Sequence, residues 1–407
     1  VKMLLLYNIS IRIYGLLIRM VALWNGKARL FVQGRKNVWK NISEKIDPSV
    51  QHVWFHFPSL GEFEQGRPVL EALKVARPDK RIIITFFSPS GYEIRKNYDL
   101  ANAVFYLPLD SAENARRFID SINPEMAIFV KYDYWHHYFL TLKKRNIPLY
   151  MVSAIFRKEQ IYFKWYGGFY RKILKSVRFF FLQNQESVNL LRSLGFYNLV
   201  LAGDTRFDRV AAHATVARHI DEVARFSAEK PLLVAGSTWP ADERLLAGLM
   251  EKNPDWKMVL APHEIGESHL SELKKRFPEA LFFSEFSNER AANAQILIID
   301  NIGMLSSLYQ YGKIAYIGGG FGAGIHNTLE AAAFGLPVIY GPNDHKFQEA
   351  QDLRAVNAAC RISDEASLLA AFNMLKADAV AGDRARSYVQ KKTGATAVIL
   401  SRMLGQI

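Results

Sequence analysis

Ile317-Gly-Gly-Gly-Phe-Gly-Ala-Gly-Ile-His-Asn-Thr-Leu-Glu330 decides the fold. An apolar run, Ile314–Ile317, reads as a buried strand. It enters a loop with glycines at 318, 319, 320, 322 and 324, and a helical pattern follows over Asn327–Phe334. Strand, glycine loop and helix together make half of a βαβ unit. Glycines let a backbone approach a ligand closely, and the N–H groups at a helix start can hold a phosphate. Glu330 lies one turn in, where it could accept hydrogen bonds from ribose hydroxyls. Asn327 and Glu330 also have the spacing of a helix cap, and capping alone would account for those two. It would not account for the five glycines before them. No Gly-Lys-Ser/Thr follows, so this is not a Walker loop. Gly335 can end the helix, Pro337–Ile339 reads as the next buried strand, and Gly341-Pro342 as a turn.

The same rhythm extends in both directions. Upstream in this half, strands are expected at Leu232–Ala235, Lys257–Ala261, Ala280–Phe283 and Ile296–Ile299. Helices fit Ala241–Lys252, Ser268–Arg276, Met304–Tyr311 and His345–Val356. The first half repeats the pattern with strands at His52–Phe57, Arg81–Phe86, Ala103–Tyr106, Met126–Val130, Leu149–Val152 and Phe179–Leu182. Helices between them fit Glu64–Ala76, Ser90–Asn97, Ala112–Ile122 and His136–Lys144. A polar, alanine-rich helical segment, Arg209–Phe226, separates the halves. Alternating strands and helices predict an α/β chain of two Rossmann-like, doubly wound domains facing a cleft. The expected divisions are residues 1–30, 31–210 and 211–407. The last helical stretch, Ala366–Leu404, either stays with the second domain or crosses back to the first.

The 407 residues suit two domains, and half of them are hydrophobic, which excludes a disordered chain. The net charge of +13 favours an anionic partner: nucleic acid, anionic membrane or phosphorylated substrate. Cys360 is the single cysteine, which rules out an internal disulfide or a thiolate zinc site. It reads as a small packed residue. Residues 3–24 are apolar but carry Arg12 and Arg19, with no small-residue cleavage site. Residues 1–60 hold nine Lys/Arg against two acids. Such a segment suits a helix docked on an anionic leaflet; the alternatives are a tilted single span or an ordinary first helix packed on the protein.

A second chemical signal is Phe55-His-Phe-Pro-Ser-Leu-Gly-Glu-Phe-Glu-Gln-Gly-Arg67. A strand ends at Phe57, a short loop follows, and Glu62 opens the next helix. Its carboxylate could act as general base on an acceptor hydroxyl, or merely offset the helix dipole. Glu64 competes for either role.

Ser59-Leu-Gly-Glu62 resembles the Ser-x-Gly-Glu motif of bacterial Kdo (3-deoxy-D-manno-octulosonic acid) transferases, and that resemblance favours Glu62 over Glu64 as base. Val130-Lys-Tyr-Asp-Tyr-Trp135 resembles the family's Glu-Thr-Glu-Leu-Trp segment, with Asp133 at the second acidic position and Lys131 in place of the first acid. Gly203-Asp-Thr-Arg-Phe-Asp208 is similar to Gly-x-x-Lys-Phe-Asp, with Arg206 at the basic position. The resemblance implies that Asp133 and Arg206 stabilise the transition state. In the second half, Ala235-Gly-Ser-Thr-Trp239 resembles a Gly-Ser-Thr loop. Leu260-Ala-Pro-His263 resembles Ala-Pro-Arg-His, with His263 where the arginine is usual. Asn301-Ile-Gly-Met304 stands where the family has Met-Gly-Glu, and Asn327-Thr-Leu-Glu330 matches Asn-Pro-Leu-Glu. The resemblance implies that Pro262, His263, Ile302, Gly303, Met304, Asn327, Thr328, Leu329 and Glu330 bind the CMP of a donor. The Ala331–Pro342 helix–strand–turn unit is likewise typical of two-domain nucleotide-sugar transferases, the GT-B type.

The implied reaction is inverting transfer of Kdo from CMP-Kdo to a lipid A precursor, at the cytoplasmic face of the inner membrane, with no cofactor and no metal. There is no Asp-x-Asp pair, and the sequence offers His136-His137 no nearby carboxylate partner. Phe156–Phe181 interleaves basic and aromatic residues, which suits RNA, lipid headgroups or a solvated helix face; the apolar N-terminus favours lipid, and no nucleic acid partner is expected. Two alternatives remain: a UDP-sugar transferase acting on another membrane lipid, and a basic RNA- or membrane-binding protein without activity.

Overall fold

A computed structural model describes residues 2–228 and 230–405. Seven strands form the first sheet: β1 His52–Phe57, β2 Arg81–Phe86, β3 Ala103–Tyr106, β4 Pro124–Val130, β5 Leu149–Ala154, β6 Phe179–Leu182 and β7 Leu199–Leu201. Their order is β3-β2-β1-β4-β5-β6-β7, and every neighbouring pair is parallel. Helices cover both faces, so the strands are apolar on both. In β1 every residue is buried. Val53, Phe55 and Phe57 enter one core with Ile82 and Ile84. Trp54 points the other way, into a core with Phe118, Phe129 and Tyr138.

The second sheet comprises β8 Leu232–Thr238, β9 Lys257–Pro262, β10 Leu281–Phe282, β11 Ile296–Ile298, β12 Ile314–Ile317, β13 Val338–Tyr340 and β14 Ala359–Arg361. Its order is β10-β11-β9-β8-β12-β13-β14, again all parallel. Both sheets are doubly wound. Winding reverses between β1 and β4 in the first and between β8 and β12 in the second. Crevices at the carboxyl ends of such strand pairs are where ligands of these folds sit.

The chain divides into two units, Val1–Asp208 with Gly394–Ile407, and Arg209–Thr393. The last helix, Ala395–Leu404, therefore joins the first unit, where Ile399 and Met403 complete the core around Val53 and Ile82. Two helical stretches expected as continuous are broken. Arg209–Phe226 is two helices, Thr205–Thr215 and Asp221–Ser227. Ala366–Leu404 is three, Glu365–Ala377, Ala381–Lys391 and Ala395–Leu404. Gly394, at φ +109, makes the second break.

The first helix, Lys2–Val21, is long and apolar enough to cross a membrane. It docks through a narrow, partly polar face. Tyr7 donates to Asp110 Oδ2 (2.5 Å), Asn8 Oδ1 lies 2.7 Å from His137 Nε2, and Gly15 sits against Leu109. Tyr14 packs on Phe31 and Phe87. Leu5, Leu6, Ile9, Ile13, Leu16, Leu17 and Met20 point away from the protein and are exposed.

Candidate functional site

In the first unit, Glu62 and the Lys131–Trp135 loop meet at the β1/β4 crevice. Ser59 caps the helix Leu60–Ala76, its Oγ accepting from Gly61 N. The same hydroxyl donates to Glu62 Oε2. The loop after β4 turns sharply, with Lys131 at φ +72, in the left-handed region. That turn aims its ammonium back over the crevice, 3.2 Å from Glu62 Oε1. The Tyr132 ring lies beneath the ammonium, 5.2 Å away. Burial, then Glu62 and Asp133, push the Tyr132 hydroxyl upward from its ordinary pKa. Glu64 faces elsewhere: Arg95 donates to it at 2.8 Å. The two carboxylates thus have different cationic partners.

Asp133 does not touch Glu62 directly. Its Oδ2 lies 3.1 Å from Nε2 of the buried His56, whose Nδ1 is 2.9 Å from Thr85 Oγ1. Trp54 Nε1 donates to the same Thr85 hydroxyl (2.8 Å), so Asp133 ends a polar chain reaching into the sheet. Arg206 is held by Asp204, with Nε to Oδ2 at 2.9 Å and Nη2 to Oδ2 at 2.8 Å. Its neighbour Thr205 donates to the carbonyl of Gln65, which fastens this segment to the Glu62 helix one turn further along.

The backbone at His137 and Tyr138 meets a carboxylate distant in sequence, Asp110. Asp110 accepts from the backbone N–H groups of His137 and Tyr138, both at 3.0 Å. It caps the helix His136–Lys144, for which Trp135 supplies no side-chain cap. Burial pushes its carboxyl up to about 6.

In the second unit two of the loop glycines are packed against neighbouring backbone. A Cβ on Gly318 would lie 2.2 Å from Ser237 O, and one on Gly320 2.6 Å from Gly341 Cα. These two glycines let the loop after β12 run against the ends of its neighbouring strands. Asp242, fully buried, ties the loop down: it accepts from Gly319 N (3.0 Å), Trp239 N (2.9 Å) and the Tyr316 hydroxyl (2.7 Å). Sequence reasoning missed Asp242, although an acid three residues after Trp239 is an N-cap signal.

His263, at the arginine position, is stacked near-parallel on Trp239 (4.8 Å between centroids) and on His326 (4.4 Å). Trp239 Nε1 donates to His326 Nε2 at 3.2 Å, and burial, then His263, lower the His326 pKa. His263 thus lies between two aromatic rings. Pro262 ends β9 beside this stack. Asn327 Oδ1 accepts from Leu329 N (3.1 Å) and Asn327 Nδ2 donates to Glu330 Oε1 (3.0 Å). The cap is real, but Glu330 is held by the Asn327 side chain rather than by the cap backbone. Leu329 and Thr328 are buried, and Thr328 Oγ1 has no hydrogen-bond partner. Ile302 is 86% exposed, Gly303 has φ +97, and Met304 precedes the short helix Leu305–Leu308. Cys360 lies on β14, half-buried, its thiol pushed up to about 11 by burial.

Residues 29–209 match a family model described as "3-Deoxy-D-manno-octulosonic-acid transferase (kdotransferase)". The chain is 28% identical over 325 residues to the 3-deoxy-D-manno-octulosonic acid transferase of Aquifex aeolicus, covering 78% of this chain and 84% of that one. It is 27% identical over 317 residues to the enzyme of that name from Haemophilus influenzae, covering 74% and 73%. Among solved structures, UDP-GlcNAc 2-epimerase from Neisseria meningitidis matches at TM-score 0.60 and 14% identity, covering 87% of this chain and 100% of that one. At that identity the likeness establishes the two-domain GT-B fold. The sequence relatives carry the chemistry: the chain is a glycosyltransferase, similar over most of its length to bacterial Kdo transferases.

Proposed function

We propose that the chain transfers Kdo from CMP-Kdo to a lipid A precursor, lipid IVA, with inversion, and that Glu62 is the general base. The observation that carries this reading is the position of Glu62: it stands at the β1/β4 crevice with one oxygen held by Ser59 and the other 3.2 Å from Lys131. A sugar hydroxyl of the acceptor gives its proton to the Glu62 carboxylate. The oxygen forms a bond to the anomeric carbon as the bond from that carbon to the phosphate oxygen breaks, and CMP leaves with the electron pair. Asp133 and Arg206 support the charge that develops. Pro262, His263, Ile302, Gly303, Met304 and Asn327 to Glu330 hold CMP. The reading invokes no metal, since one phosphate needs less neutralisation than a diphosphate. The exposed apolar face of Lys2–Val21, with Arg12 and Arg19, fits attachment at the cytoplasmic face of the inner membrane.

The test is incorporation of Kdo from freshly generated CMP-Kdo into tetraacylated precursor, by wild type and Glu62→Gln. The expected result is product from wild type and a loss of kcat of about 10²-fold or more in a folded variant. Product from both removes Glu62 as base. No product, with turnover of a UDP-sugar instead, replaces the donor.

A further inference from the structure

Lys131 is a cation set directly against the carboxylate proposed as base. The structure shows what the cation does. Its backbone is left-handed (φ +72), which is unfavourable for a residue with a Cβ, yet it turns the side chain onto Glu62 rather than into solvent. Lys131 N donates to Val152 O at 2.9 Å, so the turn is anchored to the neighbouring strand. The ammonium lies 3.2 Å from Glu62 Oε1 with the two side chains only 23% and 10% exposed. The remaining charged and titratable groups around the carboxylate are few. Tyr132 sits beside it on the same loop, with Arg157 near the Tyr132 hydroxyl. Ser59 holds its other oxygen. Asp133 is engaged by His56 and Arg206 by Asp204.

We propose that Lys131 is a positioning residue for Glu62: its ammonium fixes the orientation of the carboxylate at the crevice. The inference rests on Glu62 being the base. The ammonium engages one carboxylate oxygen while Ser59 engages the other, so the carboxylate is held at both ends rather than free to rotate.

The experiment measures kcat and KM for Kdo transfer for wild type and for Lys131→Met, Lys131→Glu and Lys131→Arg. Lys131→Gly is added because glycine suits the left-handed backbone and removes the charge without strain. The kcat is expected to fall about tenfold or more in Lys131→Met and Lys131→Gly, further in Lys131→Glu, and to stay near wild type in Lys131→Arg, with KM for the acceptor little changed. Equal kcat in all five proteins overturns the proposal. So does a result in which only KM for the acceptor rises, which would make Lys131 a direct contact to an acceptor anion. Full activity of Glu62→Gln would instead overturn the base assignment itself, so the two failures are distinguishable.

Discussion

The glycine loop offers a sharp test, because two of its glycines should respond in opposite ways to one added methyl group. A Cβ on Gly318 would lie 2.2 Å from Ser237 O and 2.6 Å from Thr238 Cα. Comfortable contact is about 3.5 Å, so one of two paired strand ends must move by about 1 Å. Neither moves freely. Gly318 N donates to Gly236 O at 2.9 Å, at the end of the β12–β8 ladder. Overpacking and a weakened hydrogen bond together cost about 2–4 kcal/mol for Gly318→Ala. In a unit of this size that lowers Tm by about 5–12 °C. Gly322 is the control. Its Cβ would meet only Gly319 O, at 3.6 Å, and its backbone is not left-handed. Gly322→Ala should be neutral, or raise stability by about 0.5 kcal/mol through the unfolded state. Calorimetry on the full chain, following the transition of the second unit, measures both. Equal Tm shifts for the two variants would refute the view that Gly318 is required by backbone packing. A CMP inhibition constant worsened by Gly322→Ala alone would relocate the ligand-approach role to that glycine.

Two further expectations concern the first unit. Leu16→Glu and Leu17→Glu alter side chains that are 59% and 53% exposed, so the unfolding midpoint should move little. Flotation with anionic vesicles should fall about tenfold or more; unchanged flotation would remove this helix as the membrane contact. Asp110 gives a pH signature. Its folded pKa, raised to about 6, exceeds the ~3.9 of an unfolded aspartate. Its contribution is therefore fully present below about pH 4 and is lost as pH rises through 6, by up to about 3 kcal/mol. The stability of wild type minus that of Asp110→Asn, from urea unfolding, should shrink between pH 4 and pH 7, and a difference constant across that range would contradict the assignment.

Long strands buried on both faces were legible in the sequence because their side chains must be continuously apolar. His52–Phe57, Arg81–Phe86, Ala103–Tyr106, Phe179–Leu182 and Ile314–Ile317 run between the expected residues. The edge strands β7 and β14 were not legible. Three residues long and half exposed, they carry no run to read. The helices Gly26–Lys36 and Val38–Lys45 were also missed, since their polar faces resemble a linker. Within the candidate site, spacing could place Glu62 and Glu64 on one helix but could not choose between them; Arg95 and Lys131 come from elsewhere in the chain. The Trp239–His263–His326 cluster and the reach of Asp242 to Gly319 join residues 24 to 87 positions apart, and only the folded sheet brings them together. The five glycines signalled a special loop, and for Gly318 and Gly320 the close neighbours are other backbone atoms.

The second unit is inserted within the first. The chain leaves the first unit after Asp208 and returns at Gly394. Asp208 pins the return, accepting from Gly394 N at 2.5 Å and Thr396 N at 2.6 Å. During synthesis on the ribosome, the first sheet emerges long before the helix Ala395–Leu404 that covers part of it. Arg209–Thr393 can complete its own core in the interval, while the patch awaiting Ile399 and Met403 stays wet. The nascent chain is thus finished from the inside out, its earliest strands being the last to be sealed. A stop shortly after Thr393 would leave the inserted unit whole and the enclosing one open along an apolar seam, a natural recognition surface for chaperones and proteases.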